Sequence, residues 1–137
     1  MDCIFCALAE KKLPSLIVHE DELTLAFLDL HPLSDGHTVV IPKFHTERIK
    51  DLPEAYTAAL GLTIRRVSDI LHTSLQPAGL TIGVNDGEGA HQGIPHVHAH
   101  VIPRTAKDGG GSLHTIITAK NLSPREEILK RMHSVRH

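Results

Sequence analysis

The sequence predicts an α+β fold in which an antiparallel sheet carries one long helix packed on a face. Short apolar and β-branched runs bounded by turn residues occur at 16–19, 24–28, 37–41, 80–84 and 95–103. Between the third and fourth of these, Leu60, Ile64, Val67 and Leu71 recur at helical spacing, up to about Leu75 and ahead of Pro77. Strand-rich hairpins with a helix laid on one face make an α+β sandwich.

The elements follow in order. Residues 2–10 read as a short amphipathic helix stopped near Pro14. The runs 16–19 and 24–28 read as two strands joined by a short charged turn, and the cluster His31-Pro32-Leu33-Ser34-Asp35-Gly36 as the turn before the next strand. In Asp51-Leu52-Pro53-Glu54 the spacing predicts a helix start, with Asp51 as cap and Glu54 three residues on. The segment 85–93 holds three glycines and reads as a loop between the last two strands. After Gly109-Gly110-Gly111 a final helix is expected at Ser123-Pro124-Arg125-Glu126, where cap, early proline and capping-box glutamate coincide. With no repeat, low-complexity stretch or linker, residues 1–137 read as one domain, 109–137 being a C-terminal extension that ends in a helix.

Composition narrows the function classes. A chain of 137 residues with 41% hydrophobic and 22% charged residues is sized and balanced for one globular domain. Only 3% are aromatic and none is Trp, so the core must rest on Leu, Ile and Val. A net charge of −2 without any basic block argues against binding duplex nucleic acid or anionic membrane through bulk charge. Backbone amides could still hold a small phosphorylated ligand. No apolar run reaches the roughly 18 residues of a membrane span. Met1-Asp2-Cys3 shows no secretory signal, so Asn121-Leu122-Ser123 is not expected to be glycosylated. Two cysteines only three apart point to the reducing cytoplasm rather than to a disulfide framework.

Twelve histidines are the outstanding feature, and three of them alternate in His96-Val97-His98-Ala99-His100-Val101-Ile102. Alternate residues of a strand share a face, which would align three imidazoles about 6.7 Å apart and turn Val97, Ala99 and Val101 to the core. An exposed polar face that happens to be histidine would not need three in register. A catalytic zinc held by the histidines is the rival reading, since His-x-His on a strand can supply ligands around an open position.

This run resembles the namesake signature of the histidine triad family of nucleotide hydrolases and transferases. The resemblance extends through Cys3-Ile4-Phe5-Cys6, Leu25-Ala26-Phe27-Leu28-Asp29, Gly36-His37-Thr38-Val39-Val40-Ile41-Pro42-Lys43, Asn85-Asp86-Gly87 and Ile102-Pro103-Arg104, and so covers nearly the whole chain. It implies a histidine triad fold, a homodimer and a purine nucleotide substrate. The implied reaction is hydrolysis of a phosphorus–nitrogen or phosphorus–oxygen bond, releasing AMP or a similar monophosphate through a covalent nucleotidyl-histidine. By the resemblance His98 is the nucleophile, while His100 and His37 line the phosphate and steady the nucleophile. An imidazole suits the task, being largely neutral and nucleophilic near pH 7 and a good leaving group once phosphorylated. Asp29 is implied to hold the ribose hydroxyls, Asn85, Gln92 and Gly93 to face the phosphates, and Ile4, Phe5, Leu8, Phe27 and Leu30 to form the base slot. Periodicity alone would place those apolar residues in the core. Gly87, Gly89 and Gly93 leave the backbone open to a ligand but lack dinucleotide-fingerprint spacing. Gly93 also departs from the family pattern, where serine or threonine is usual three residues before the triad.

Cys3-x-x-Cys6 has no preceding strand for a redox motif, leaving two idle thiols or half of a tetrahedral zinc site. The resemblance to the cysteine-bearing bacterial branch supplies His45 and His96 as the other ligands of a structural zinc. Two further readings keep the fold and change the activity: a dinucleoside polyphosphate hydrolase, and a nucleotide-binding regulatory module without turnover.

Overall fold

The computed structural model describes residues 3–135. The helical spacing of the middle of the chain becomes α2 (Glu54–Leu75), with Leu60, Thr63, Val67 and Leu71 buried along one side. Its last turn ends at Gln76, which takes a left-handed conformation at φ 50° just before Pro77. Five strands face it: β1 (Ile17–Glu20), β2 (Thr24–Leu28), β3 (Thr38–Pro42), β4 (Gly79–Val84) and β5 (Ala99–Arg104). They form one sheet in the order β1-β2-β3-β5-β4, with every neighbouring pair antiparallel. The α+β fold expected from the sequence is therefore observed.

The pleat sorts the apolar residues onto two faces. Ala26, Val40, Val97, Ala99 and Val101 pack with Leu52, Leu60, Val67 and Leu71 under α2. Leu25, Phe27, Val39 and Ile41 point the other way and pack with Cys3, Phe5 and Leu8 of the N-terminal segment. That segment holds α1 (Ile4–Ala9), which roofs the second face. Burial on both sides explains why β2 and β3 read as continuous apolar runs without alternation. A polar pin ties the two layers: Thr24 and Thr63 hydroxyls meet at 2.6 Å, and Asp21 accepts from the Thr24 amide and hydroxyl.

Three boundaries differ from the sequence expectation in kind, while β1, β3 and β4 are displaced by a single residue at one end or both. Asp51 does not cap α2; it closes a separate 3-10 turn (Ile49–Asp51), and Pro53 takes the cap position without a side-chain bond. Ser123 likewise yields to Pro124 ahead of α3 (Arg125–His133). In both places an extended proline leads straight into the first turn. The third difference is that the last strand begins at Ala99, not Pro95. Val84 pairs with Ala99 at the end of the ladder, and the preceding residues bond elsewhere, the Val97 amide donating to the Thr46 carbonyl at 2.8 Å. The expected helix at 2–10 is observed as Ile4–Ala9, and Asp2 lies outside the described residues.

Beyond β5 the chain leaves the body. Arg104 holds both carboxylate oxygens of Asp108 at 2.6 and 3.0 Å and reaches the Gly111 carbonyl, fixing the turn. From residue 105 to 135 every residue is exposed, α3 included. Among the described residues no helix is long and apolar enough to cross a membrane.

The loop between β2 and β3 packs closely against the last turns of α2. Gly36 sits at φ +89°, and an added Cβ would lie 2.6 Å from Leu75 Cδ1 and 3.0 Å from Leu71 Cδ2. Gly36→Ala should destabilise the fold by about 1–3 kcal/mol, through backbone strain and overpacking. Gly93→Ala should be close to neutral, because nothing lies within 4 Å of its added Cβ and its φ is not positive. Denaturant midpoints of the two variants check this, and equal losses would contradict it.

Candidate active site and metal centre

The alternation predicted for the triad survives although its first half lies ahead of the ladder. Val97, Ala99 and Val101 are in the core, and the three imidazoles emerge on the opposite side. His98 and His100 stack edge to face with ring centroids 5.1 Å apart. Phe5 of α1 contacts His96 and His98, at 5.9 and 5.0 Å.

Backbone partners assign the ring protons. His98 Nδ1 lies 2.8 Å from the His96 carbonyl, which can only accept, so Nδ1 carries the proton and Nε2 presents a bare lone pair. On the other side, the Leu33 amide donates to His37 Nδ1 at 3.1 Å. The His37 proton therefore sits on Nε2, which donates to His100 Nδ1 at 2.9 Å. His100 is left with its proton on Nε2. Two neighbouring imidazoles thus offer opposite chemistry, a lone pair on His98 and an N–H on His100. Asp29 completes this group, with Oδ2 3.4 Å from His37 Nε2 and 3.9 Å from His100 Nδ1. The carboxylate is itself oriented by the His31 amide at 2.8 Å.

The other half of the motif faces a second centre. His96 is fully buried and donates from Nε2 to the Pro42 carbonyl at 2.8 Å, which bares Nδ1. That nitrogen lies 3.4 Å from Cys3 Sγ, 3.6 Å from Cys6 Sγ and 3.1 Å from His45 Nδ1. The four donor atoms all lie within 4.8 Å of one another. Burial first, and the neighbouring Cys3 second, push the Cys6 thiol up to about 11. Such a thiol would need a bound cation to ionise near neutral pH. Two sulfurs and two nitrogens at these spacings match a tetrahedral zinc, whose ligand atoms sit roughly 3.3–3.8 Å apart. Among the described residues no cluster of potential metal ligands contains all three triad histidines. The rival reading of a catalytic zinc on His96, His98 and His100 is thereby corrected: their ring nitrogens are directed to three different partners.

The remaining expected site residues divide. Phe5, Leu8 and Phe27 are buried together beneath α1. Ile4 and Leu30 are exposed, Leu30 at 83%, so Leu30 closes no slot within the single chain. Asn85 stands exposed at the end of β4. Gln92 has its amide committed to the backbone, accepting from Gly87 N at 2.7 Å and donating to the Glu47 and Ile94 carbonyls at 3.0 Å each. It holds the glycine loop in shape. Of the loop glycines only Gly87 has a positive φ, +101°. Sequence reasoning missed the backbone groups that set the tautomers, Leu33 N–H and the Pro42 carbonyl, because backbone donors and acceptors carry no residue signature.

A HIT domain model matches residues 10–107, and the chain belongs to this family. It is 43% identical over 112 residues to an uncharacterized HIT-like protein of Borreliella burgdorferi, covering 80% of this chain and 81% of the relative. An adenosine 5′-monophosphoramidase of Schizosaccharomyces pombe is 34% identical over 110 residues, covering 80% of each. The crystal structure of a HIT family member from Bacillus subtilis superposes with a TM-score of 0.87 at 31% identity, covering 100% of this chain and 99% of that one. A zinc-bound histidine triad protein from Mycobacterium smegmatis gives 0.74 at 32% identity, over 98% and 97%.

Burial holds the ring pKa values of His37 and His100 below the ordinary 6.5, with Asp29 opposing the shift. A lowered folded-state value means that stability is complete above the ordinary histidine range. It is lost as pH falls through that range, where the unfolded chain gains protons that the folded one refuses. The denaturation midpoint should therefore drop between about pH 7 and pH 5, before the carboxylates titrate. A midpoint unchanged across that window would contradict neutral buried imidazoles.

Proposed function

We propose that the protein is a nucleotide-binding hydrolase that releases AMP or a similar purine nucleoside monophosphate from a phosphorus–nitrogen or phosphorus–oxygen linkage. The observation that carries this reading is the bare Nε2 of His98 beside the Nε2–H of His100. The named activity of the fission-yeast relative supports the same chemistry. His98 Nε2 attacks the α-phosphorus, forming a P–N bond as the bond to the leaving group breaks; a departing amine takes up a proton from solvent water, and a phosphate-like group departs as its anion. The ring then carries a positive charge, with its Nδ1–H held against the His96 carbonyl, and this makes it a good leaving group. His100 donates Nε2–H to the phosphoryl oxygens as charge builds on them. Water next attacks phosphorus, the P–N bond breaks, the water proton passes to solvent, and His98 returns neutral with Nδ1 still protonated. Asp29 and the Asn85–Gly93 loop bind the ribose and phosphates, and Phe5, Leu8 and Phe27 back the base.

Cys3, Cys6, His45 and His96 are proposed to hold a structural zinc. A closed four-ligand site supplies cross-linking of α1 to the sheet and leaves no open position for substrate. The zinc-bound mycobacterial structure supports a metal in this fold. A homodimer is proposed as well, supported by the open edge strand β4 and the exposed Leu62 and Ile70 of α2. A reducing cytoplasmic setting agrees with free Cys3 and Cys6.

His98→Ala should lower turnover of an AMP phosphoramidate by several orders of magnitude while nucleotide binding persists. Near wild-type turnover in that variant would defeat the mechanism. Protein never exposed to chelator should carry about one zinc per chain. Removing the metal should lower Tm by about 10 °C or more, and activity per folded molecule much less. Elemental analysis without metal would overturn the zinc assignment.

Gly93 offers a test of the leaving group. Its backbone torsion and the free space around it permit serine. A hydroxyl there could support protonation of a departing amine, where one neutral hydrogen bond is worth about 0.5–1.5 kcal/mol. Gly93→Ser should speed hydrolysis of an alkyl phosphoramidate of AMP several-fold and hardly change an AMP ester with a good leaving group. An unchanged kcat/KM ratio between the two substrates would contradict this.

A further inference from the structure

The glycine loop between β4 and β5 has one face that is bonded throughout and another that is left open. Its inner face lies on residues 46–49, the segment that follows β3. The Val97 amide donates to the Thr46 carbonyl at 2.8 Å, and the Gln92 side-chain amide donates to the Glu47 carbonyl at 3.0 Å. Asp86 divides its carboxylate: Oδ1 accepts from the Ile49 amide at 2.9 Å, and Oδ2 lies 3.6 Å from Arg48 Nε. The Arg48 guanidinium lies against Gly87, where an added Cβ would stand 2.9 Å from Arg48 Cζ. Gly87 is buried there, and its φ of +101° lets the backbone fold closely over the guanidinium. The outer face differs. Nothing lies within 4 Å of a Cβ added at Gly89 or Gly93, and Asn85 at the root of the loop is exposed.

We propose that Asp86 and Arg48 are positioning residues for the substrate phosphates, holding the glycine loop on the chain after β3 so that its outer face keeps one arrangement. The inference rests on the nucleotide-binding reading given above. Glycine loses more backbone freedom on ordering than any other residue, and this loop contains three. Where such ordering waits for the ligand, its cost is subtracted from affinity. Here the clamp orders the loop in the folded protein, and Asn85 and the outward backbone amides meet the phosphates already placed. The direction of Asp86 supports this role. A carboxylate turned outward from an anion-binding loop would repel the anion, whereas both oxygens of Asp86 are turned to donors of the inner face. Asp86 and Arg48 thus act through the loop backbone and not on the ligand. Their removal should weaken substrate binding more than it slows chemistry at His98, which is held from the His96 carbonyl.

Amide hydrogen exchange and steady-state kinetics of three variants test this. The Gly87 amide donates to Gln92 Oε1 at 2.7 Å inside the clamped loop. In Asp86→Ala that amide should exchange with solvent about tenfold faster or more. KM for an AMP phosphoramidate and Kd for AMP should each rise about tenfold, with kcat within about threefold of wild type, as expected for lost hydrogen bonds to a charged group. Asp86→Asn keeps an acceptor for the Ile49 amide and should bring KM back to within about threefold of wild type. Arg48→Ala removes a half-exposed side chain, should raise KM about threefold, and should add little to Asp86→Ala in the double variant. Unchanged KM and Kd in folded Asp86→Ala would overturn the proposal. So would Asp86→Asn as impaired as the alanine variant, or a kcat that falls with the folded fraction while KM stays constant, the mark of a purely structural role. If Asp86→Ala does not fold, Arg48→Ala decides, and a wild-type KM there overturns the proposal. Wild-type protein that neither binds AMP nor turns over the phosphoramidate would instead defeat the proposed function; an active wild type with unaffected variants defeats this inference alone.

Discussion

The hydrogen bond from His98 Nδ1 to the His96 carbonyl, 2.8 Å long, governs how the rest of the site is arranged. It leaves Nε2 of a neutral imidazole bare, as the proposed attack on phosphorus requires, and it would go on stabilising the ring if that attack made it charged. For that carbonyl to be useful it must be immobile. The fold meets the requirement by burying His96 completely and bonding its ring to the Pro42 carbonyl on one side and to the cysteine cluster on the other. The adjoining Val97 amide is held by the Thr46 carbonyl. A residue whose own ring takes no part in the proposed chemistry is thus the one whose position matters most to it.

The second constraint is that adjacent histidines must not be chemically equivalent. Left to solvent, His98 and His100 would sample the same mixture of tautomers. The structure distinguishes them through elements from opposite ends of the sheet: a carbonyl within the triad for His98, and the β2–β3 loop acting through His37 for His100. The late start of β5 makes this possible, since residues ahead of Ala99 are released from the ladder and can bond to the segment after β3 instead. A strand paired over the whole of 95–103 would have spent those backbone groups on its neighbours.

Much of this was legible in the sequence because it is written in side chains. The period of Leu60, Val67 and Leu71 located α2, and the alternation around His96, His98 and His100 separated core from site. The two cysteines and His45 were legible as a metal set only through resemblance to a family, since no local spacing joins residues 3, 6, 45 and 96. What could not be read were roles decided by backbone geometry. Asp51 and Ser123 carry cap chemistry, yet prolines at 53 and 124 displaced them. Gln92 has the chemistry of a phosphate ligand, while the fold uses its amide to shape a loop. Leu30 was expected beside a base and stands in solvent, because the loop that carries it turns outward to bring Asp29 and Leu33 to His37.

The central claim is covalent chemistry at His98, and intact-peptide mass spectrometry of protein acid-quenched during turnover of an AMP phosphoramidate addresses it most directly. The account predicts an added adenylyl mass on the peptide containing His98, present in wild type and missing in His98→Ala. Rapid turnover with no adduct on any histidine, under quench conditions that preserve phosphohistidine, would contradict it.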